Sequence, residues 1–437
     1  MTLLDDARAL LATGPLCDAC LGRPFAERSF GLTNAERGRA LRTTIALDDD
    51  EPYGTTDPAD CWVCEGLCGR FEELAERAAA AVADIDFDTY QVGTRVPPLV
   101  EENDELLRED AGLEPDAGEE LRKELNREVG RRLGARLEKE VDFERPDVQL
   151  LCDLDADEVT ATVNSVAVYG RYRKIERDVP QTEWPCSDCG GSGRVYGVGP
   201  CPECNGTGYR YRTSVEQEVA PTLVTALRGE AGVFHGAGRE DVDALMLGGG
   251  RPFVLEVKKP HRRHVDLSAL EAEINEASDA VEVEGLRFAT NDMIERVKEH
   301  DASKTYRMTV EFGGEVDDAD LQPVLDELRG TTVEQRTPQR VDHRRADLTR
   351  ERTVYDISGS TTDETHATLV IHGAGGLYIK ELVSGDEGRT EPSLAGLLGV
   401  EAVVTALDVT AVEGEDEPFE HPDFFRDAEG ESEEGAA

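Results

Sequence analysis

The sequence predicts an α+β protein of several domains. Hydrophobic spacing switches repeatedly between the helical and the strand period along the chain. The 10 cysteines fall mostly in CxxC pairs, confined to two stretches. A chain of 437 residues that is 39% hydrophobic can also bury a large core and suggests about three domains.

The elements follow in order. Residues 1–70 carry Cys17 and Cys20 in LCDACLG and Cys61 and Cys64 in CWVC, around a helical stretch from Asn34 to Ile45. FEELAERAAAAVADI, ending at Ile85, has helical spacing, and DTYQVGTRVPP alternates as a strand until Pro97 and Pro98. The acidic stretch after it reads as a loop. Glu119 to Glu140 is a long amphipathic helix, with Leu121, Leu125, Val129, Leu133 and Leu137 on one face. VQLLCDLDA and EVTATVNSVAVYGRYRKI are β-rich, which closes an α/β stretch over 71–182. Residues 183–213 form a Cys/Gly module. Over 214–412 helical patterns (Glu216 to Arg228, Asp266 to Ala280) mix with strand patterns (Pro252 to Val257, Thr305 to Phe312, Ala367 to His372). The remainder, 413–437, is rich in Glu, Asp and Gly and is expected to fray as a flexible acidic tail.

The cysteines have metal-ligand spacing. A CxxC turn delivers two thiolates from one backbone knuckle, and two such turns surround a tetrahedral zinc. Cys17, Cys20, Cys61 and Cys64 make one set, with Cys68 as a rival fourth ligand. Cys186 and Cys189 in CSDCGGSG, with Cys201 and Cys204 in CPECNGTG, make a tighter second set. Two structural zinc ions are expected. Zinc-dependent chaperones share the doubled CxxCxGxG form, but His421-Pro422-Asp423 has no helix pair around it. Cys152 lies in a strand pattern and reads as core.

Charge is extreme, with 93 acidic against 47 basic residues and a net charge of −46. Such a balance ordinarily argues against a nucleic-acid partner. The acid is spread along a chain with ample apolar residues, which is not the pattern of a disordered protein. It fits a protein adapted to molar salt, where the Debye length is about 3 Å and distant charges hardly act. Local charge then decides what binds. Three basic islands stand out: Arg171, Arg173, Lys174 and Arg177; Lys258, Lys259, Arg262 and Arg263; and Arg336, Arg340, Arg344, Arg345, Arg350 and Arg352. The acidic, amphipathic start has no signal-peptide pattern, and no apolar run reaches the length of a membrane span. With CxxC pairs read as metal ligands rather than disulfides, a cytoplasmic protein without membrane contact is expected.

Chemistry concentrates in FHGAGREDVDALMLGGGRPFVLEV, residues 234–257. Gly236 and Gly238 precede a turn holding Arg239, Glu240 and Asp241, and a second turn at Gly248 to Gly250 leads into a strand. Three further strings stand with it: KTYRMTVEF (304–312), TPQRVDHRRADLTRER (337–352) and GGLYIKELVSGDEGRTEPSL (375–394). Taken singly, each is consistent with a core Tyr, a surface Lys or a solvated charge run.

Together these strings resemble the pseudouridine synthases, whose nucleophile is an Asp in a Gly-Arg-x-Asp setting. Val242-Asp243 continued through Gly250-Arg251-Pro252-Phe253 is similar to the archaeal and eukaryotic tRNA branch often called Pus-ten. The resemblance implies Asp241 as catalytic residue and Tyr306 as active-site Tyr. It also implies Lys380 on a strand facing Asp241, with Tyr378 two residues earlier on the same face, and Arg239 on the flipped nucleotide or its phosphate. It implies a THUMP-like RNA-binding domain over 71–182 and a catalytic domain of mixed, mainly antiparallel sheet over 214–412. The expected activity is isomerisation of uridine to pseudouridine at positions 54 and 55 of the TΨC arm of tRNA, with no organic or redox cofactor, by a monomeric enzyme. Lys380 beside Asp241 would favour the carboxylate, and Tyr306 would pack on the base. The alternatives are another THUMP-containing tRNA modifier, such as a thiouridine synthetase or methyltransferase, and a non-catalytic zinc-dependent RNA-binding protein. The first needs a nucleotide loop, and the chain has no GxxxxGK[ST]. The second has no use for Asp241 opposite Lys380.

The charge balance generates a first prediction. tRNA modification should be poor in dilute buffer, where a Debye length of about 30 Å lets the acid act at a distance, and should rise toward molar KCl. Neutralising Arg344 and Arg345 together should weaken tRNA binding even there. Assays across KCl concentration, with circular dichroism to follow folding, would reject the adaptation if the optimum lay near about 0.1 M with the fold intact.

Overall fold

The computed structural model describes residues 2–339 and 346–426 and divides into two units, 1–164 and 165–437. Arg340, Arg344, Arg345 and residues 427–437 lie outside the described residues.

The first unit is built on a sheet of β1 (Thr89–Arg95), β2 (Glu140–Val141), β3 (Val148–Asp153) and β4 (Glu158–Val163), in the order β2-β1-β3-β4. β1 is parallel to β2 and β3, and β3 is antiparallel to β4. Helix Phe71–Ala81 buries Leu74, Ala75 and Ala78, and helix Leu121–Leu137 buries Leu121, Leu125, Val129 and Leu133. Both faces were readable from their apolar spacing. The cysteine stretch and the α/β stretch, which the sequence suggested as separate modules, share one core that runs from Leu10 through Cys64 and Leu74 to Val148. The acidic stretch expected to be a loop is partly the helix Pro98–Asp110. Pro98 at its first turn suits a helix start, and Val100 and Leu107 are buried. Its acid hid the pattern, because Asp104 is also buried, paired with Arg23 at 2.5 Å and Arg108 at 3.0 Å.

The second unit begins one strand earlier than the sequence suggested. β5 (Val166–Lys174) belongs here, paired with β9 and β10, although it reads as a continuation of β4. Residues 183–213 follow, with the short hairpin β6 (Arg194–Val195) and β7 (Gly199–Pro200). The main sheet adds β8 (Ala231–Gly236), β9 (Leu245–Lys258), β10 (Val281–Ala289), β11 (Ala302–Phe312), β12 (Thr332–Arg336), β13 (Thr349–Asp363), β14 (His366–Gly373), β15 (Thr390–Glu391) and β16 (Ala402–Gly414). Its order is β10-β5-β9-β16-β11-β14-β13-β12-β15, with β8 also on β9. The one parallel pairing among the described strands of this sheet is β16 with β9, so the sheet is mixed and mainly antiparallel. The glycines 248–250 do not end a turn before a strand. They lie inside β9, where Gly248 and Gly250 adopt positive φ of 59° and 70°. A Cβ on Gly248 would stand 2.1 Å from the Thr410 carbonyl oxygen, so β9 can meet β16 only with glycine there.

The expected frayed tail is packed as far as Arg426. Phe419 is fully buried, Phe425 stacks edge-on to Tyr169, and Arg287 sits 3.8 Å over the Phe425 ring. Glu420 accepts from Arg171 at 2.7 Å. Three aromatics in an acidic stretch were the overlooked signal. His421 caps the short 3-10 helix Pro422–Phe424, with no paired helices around it. Among the described residues, no helix is long and apolar enough to cross a membrane.

Candidate active site

The loop between β8 and β9 carries Arg239, Glu240 and Asp241, and its shape comes from beneath. The Glu240 side chain is 1% exposed. It accepts from Arg251 Nε at 2.8 Å and from the Tyr172 hydroxyl at 3.0 Å, and Lys174 Nζ lies 3.7 Å away. Arg251 and Lys174 are themselves completely buried. Burial pushes the Lys174 ammonium below the usual lysine range, and Glu240 opposes that shift.

The same cations grip the loop backbone. Arg251 Nη1 donates to the Ala237 carbonyl at 2.8 Å. Lys174 Nζ donates to the carbonyls of Val179, Val242 and Asp241 at 2.8, 3.1 and 3.3 Å. Gln181 Nε2 donates to the Gly238 carbonyl at 2.9 Å and to the Tyr172 hydroxyl at 3.0 Å. Four loop carbonyls are thus held by three side chains. Of these groups, only Glu240 and Arg251 lie within the string that drew attention, and neither was singled out. A buried Glu next to an exposed Asp has no signature in a turn this acidic.

Asp241 points the other way, its side chain 43% exposed. Lys380 Nζ stands 3.1 Å from Asp241 Oδ2 and 3.8 Å from Asp243 Oδ2. The expectation that Lys380 lies on a strand is wrong. It sits in the first turn of helix Ile379–Ser384, and Tyr378 is the residue before that helix, so the two do not share a strand face. The signal was present: Ile379, Leu382 and Val383 are buried at helical spacing, and Gly385 ends the helix with φ of 78°. Tyr378 is fastened by its backbone, donating to Gln335 Oε1 at 2.9 Å and accepting from Gln335 Nε2 at 3.0 Å. Gln335, on β12, therefore anchors the turn that carries Lys380.

Tyr306 lies on β11 between β14 and β16. Burial pushes its phenol up to about 12, Arg251 opposing and Asp241 adding to the rise. Lys304, two residues earlier on the same face, was not singled out. Burial brings its ammonium down to about 8, and Arg251 acts in the same direction. Arg239 is exposed and makes no ion pair among the described residues.

Of the basic islands, one turns inward. Arg171 pairs with Glu420 at 2.7 Å, Arg173 with Glu284 at 2.6 Å and Glu282 at 2.9 Å, and Arg177 with Asp408 at 2.7 Å. Their partners come from the neighbouring strands β10 and β16 and from the chain end, which local sequence cannot reveal. Lys258 and Lys259 pair with Glu256 and Glu230, and Arg263 is buried. Arg336 pairs with Asp347, whereas Arg350 and Arg352 make no ion pair among the described residues.

Both cysteine sets converge. Cys186, Cys189, Cys201 and Cys204 form the four-thiol group expected of them. In the N-terminal stretch the group is Cys17, Cys20, Cys64 and Cys68, so Cys68 takes the place foreseen for Cys61. Glu65 and Gly66 adopt positive φ of 46° and 95°, which swings Cys68 back toward Cys20. Cys61 is buried, and Cys152 is a core thiol, as expected. Sulfur separations are 3.8 Å for Cys17–Cys64, 3.9 Å for Cys20–Cys68, 3.9 Å for Cys186–Cys201 and 3.8 Å for Cys189–Cys204. A tetrahedron of zinc–sulfur bonds near 2.3 Å sets sulfurs about 3.8 Å apart. The residues fit the metal. Arg23, wholly buried, donates to Cys20 Sγ at 3.5 Å, and the Gly208 N–H donates to Cys204 Sγ at 3.2 Å.

The comparisons with known proteins now bear on these residues. Residues 167–413 match the family model described as Pus10, C-terminal, and residues 74–153 match the Pus10 THUMP domain, archaeal. The chain belongs to the Pus10 family. It is 64% identical to the tRNA pseudouridine synthase Pus10 of Halorubrum lacusprofundi, over 98% of this chain and 100% of that one. It is 41% identical to the Pus10 of Methanothrix thermoacetophila, over 94% and 95% of the two chains. Pyrococcus furiosus Pus10 is 38% identical, over 94% and 98%. Among solved structures, a Cbf5-Nop10-Gar1 complex aligns with 46% of each chain at 19% identity, with a TM-score of 0.29. Membership in the family rests on the sequence matches, and the α+β fold on the THUMP match and the sheets described above.

The buried cluster yields a second prediction. Glu240→Gln leaves Arg251 and Lys174 buried without their shared carboxylate. Removing one partner of such a pair costs about 3 kcal/mol or more. Denaturant unfolding in molar KCl should register that loss, and a stability within about 0.5 kcal/mol of the parent would show that the cluster does not hold the loop.

Proposed function

We propose that the chain isomerises uridine to pseudouridine in tRNA, at positions 54 and 55 of the TΨC arm, with Asp241 as the reacting carboxylate. The observation that carries the reading is the Asp241–Lys380 ion pair at 3.1 Å, on a loop held rigid from below. Residues so far apart in sequence meet at the exposed tip of the one loop whose residues resemble the synthase motif.

The reaction breaks the glycosidic bond, turns the uracil and rejoins it through carbon 5. Nothing is oxidised or reduced. Asp241 would act on carbon 6, on the ribose or as a base, three roles that share one requirement: an accessible, positioned carboxylate. Lys380 supplies the countercharge. Tyr306 packs against the base and helps remove the carbon 5 proton, which is lost once carbon 5 bonds to the ribose, while nitrogen 1, freed when the glycosidic bond breaks, takes one up. The target base must leave its stack, at a cost of a few kcal/mol. Arg239, exposed and without an ion-pair partner among the described residues, suits the extruded nucleotide or its phosphate. Each four-thiol group would hold one structural zinc, by Cys17, Cys20, Cys64 and Cys68 and by Cys186, Cys189, Cys201 and Cys204. Bound zinc there contributes folding energy.

Asp241→Asn should abolish pseudouridine formation in tRNA transcripts and leave tRNA affinity within about twofold, because affinity rests on many phosphate contacts. Turnover retained by this variant would remove Asp241 from the reaction. Metal analysis of the purified protein separates the thiols. Cys68→Ser should lose one of two zinc ions and Cys61→Ser neither. The opposite pattern would return Cys61 to the ligand set.

A further inference from the structure

Residues 183–213 have no part in the chemistry proposed above, yet they carry more than a zinc site. Of the chain's 2 Trp and 10 Tyr, Trp184, Tyr196, Tyr209 and Tyr211 fall in this stretch. Tyr196 stands at the turn of the β6–β7 hairpin and is wholly exposed at 104%, beside Val198 at 65%. A tyrosine that packs on nothing does no work for the fold. Near the stem of the module, Trp184 and Tyr211 meet edge to face at 5.5 Å, and the Arg210 guanidinium lies 5.7 Å from each ring.

The charges around these rings are unusual for this chain. Acids outnumber bases 93 to 47, and many arginines of the second unit pair with carboxylates, Arg171, Arg173 and Arg177 among them. Arg194 and Arg210 make no ion pair among the described residues. Arg212 pairs with Glu176 at 2.7 Å on the surface. Glu183 acts on the Tyr209 hydroxyl and pushes that phenol above the usual tyrosine range.

The stem places this face beside the candidate site. Val215 N–H donates to the Pro180 carbonyl and Glu216 N–H to the Gln181 carbonyl, both at 3.0 Å, while Arg210 N–H donates to the Trp184 carbonyl at 2.9 Å. Gln181 itself bonds the Gly238 carbonyl, three residues before Asp241. From Gln181 to Trp184 the chain spans at most about 11 Å. Within the module, Cys201 N–H donates to the Gly193 carbonyl at 2.8 Å, which ties the hairpin to the cysteine knuckles.

We propose that the 183–213 module is a substrate-contacting finger, on which Tyr196 stacks an unpaired base of the tRNA while Arg194 and Arg210 bind its phosphates. The inference rests on the tRNA reading given above. Every base has a π-face, so a ring at a hairpin tip takes up an unstacked base without regard to sequence. Guanidinium groups that make no ion pair among the described residues are those that a phosphate can engage. Continuity with the Asp241 loop makes RNA, rather than a protein, the occupant.

The test uses the full-length, zinc-loaded protein with a tRNA transcript in molar KCl, and measures tRNA affinity and turnover separately. Tyr196→Ala should weaken tRNA binding about tenfold, as loss of one stacked base does. Arg194→Gln with Arg210→Gln should do so at least as strongly. In both, kcat at saturating tRNA should stay within about twofold and zinc content should be unchanged. Tyr196→Phe keeps the ring and should bind as the parent does. Parental affinity in both Tyr196→Ala and the double arginine variant would overturn the proposal, and would leave the module as a protein-binding or purely structural element. A parent that binds tRNA but forms no pseudouridine would sink the reaction reading instead, and the affinities of the variants would still decide the role of the finger.

Discussion

The buried carboxylate of Glu240 is the constraint on which the candidate site depends. An exposed Asp on a glycine-flanked turn would sample many positions, since glycine releases the backbone. Here the next residue back is driven inward and fixed by Arg251, Tyr172 and Lys174. Alternate side chains of an extended segment point to opposite sides, so burying Glu240 presents Asp241 outward. The two cations then spend their remaining donors on loop carbonyls. A buried ion pair is weak evidence for stability, because desolvation offsets much of the attraction. Its value lies in geometry. An apolar cluster of equal volume could pack as well, but it could not hold four carbonyls in place.

The framework around the loop follows the same logic. Tyr172 and Lys174 lie on β5, Arg251 on β9, and Tyr306 on β11, all strands of one sheet. The long β9 reaches β16 only through its glycine bulge. Helix Ile379–Ser384, fixed through Gln335, brings Lys380 in from beyond β14. The Asp241 carboxylate, the Lys380 ammonium and the Tyr306 ring therefore sit on elements tied to one sheet by backbone and side-chain hydrogen bonds. Such a site needs little reorganisation to meet developing charge.

What the sequence revealed and what it hid follow from the range of each signal. Periodicity is local, so helix Leu121–Leu137 and strands β1, β3 and β11 were legible. The Asp241 loop and its pairing with Lys380 came from a family resemblance, not from periodicity. Helix Pro98–Asp110 was hidden because its buried face includes Asp104 and Arg108. The wrong strand at Lys380 came from attending to Tyr378 and Lys380 and not to Ile379, Leu382 and Val383. β5 was assigned to the wrong unit because adjacent strands in sequence usually pair, and here Asn164 and Ser165 separate two sheets. The role of the buried cations under the loop was invisible, since Lys174 on β5 and Arg251 on β9 meet Glu240 only in the folded sheet.

Acidity is where local reading was least reliable. A run of arginines suggested an RNA surface at 171–177, and the sheet assigns each of those side chains a carboxylate or a carbonyl instead. In a chain with two acids for each base, many arginines find a carboxylate. The informative arginine is then the one left unpaired, and clustering in sequence is a poor guide to it. Arg239 at the tip of the loop, Arg350 and Arg352 on β13, and Arg194 and Arg210 on the cysteine module meet that condition among the described residues. At molar salt only contacts within about 3 Å escape screening, so a phosphate would be held by direct hydrogen bonds at such points and not by a field. A strongly acidic protein can therefore bind a polyanion with a small number of well-placed guanidinium groups, provided its carboxylates are occupied elsewhere.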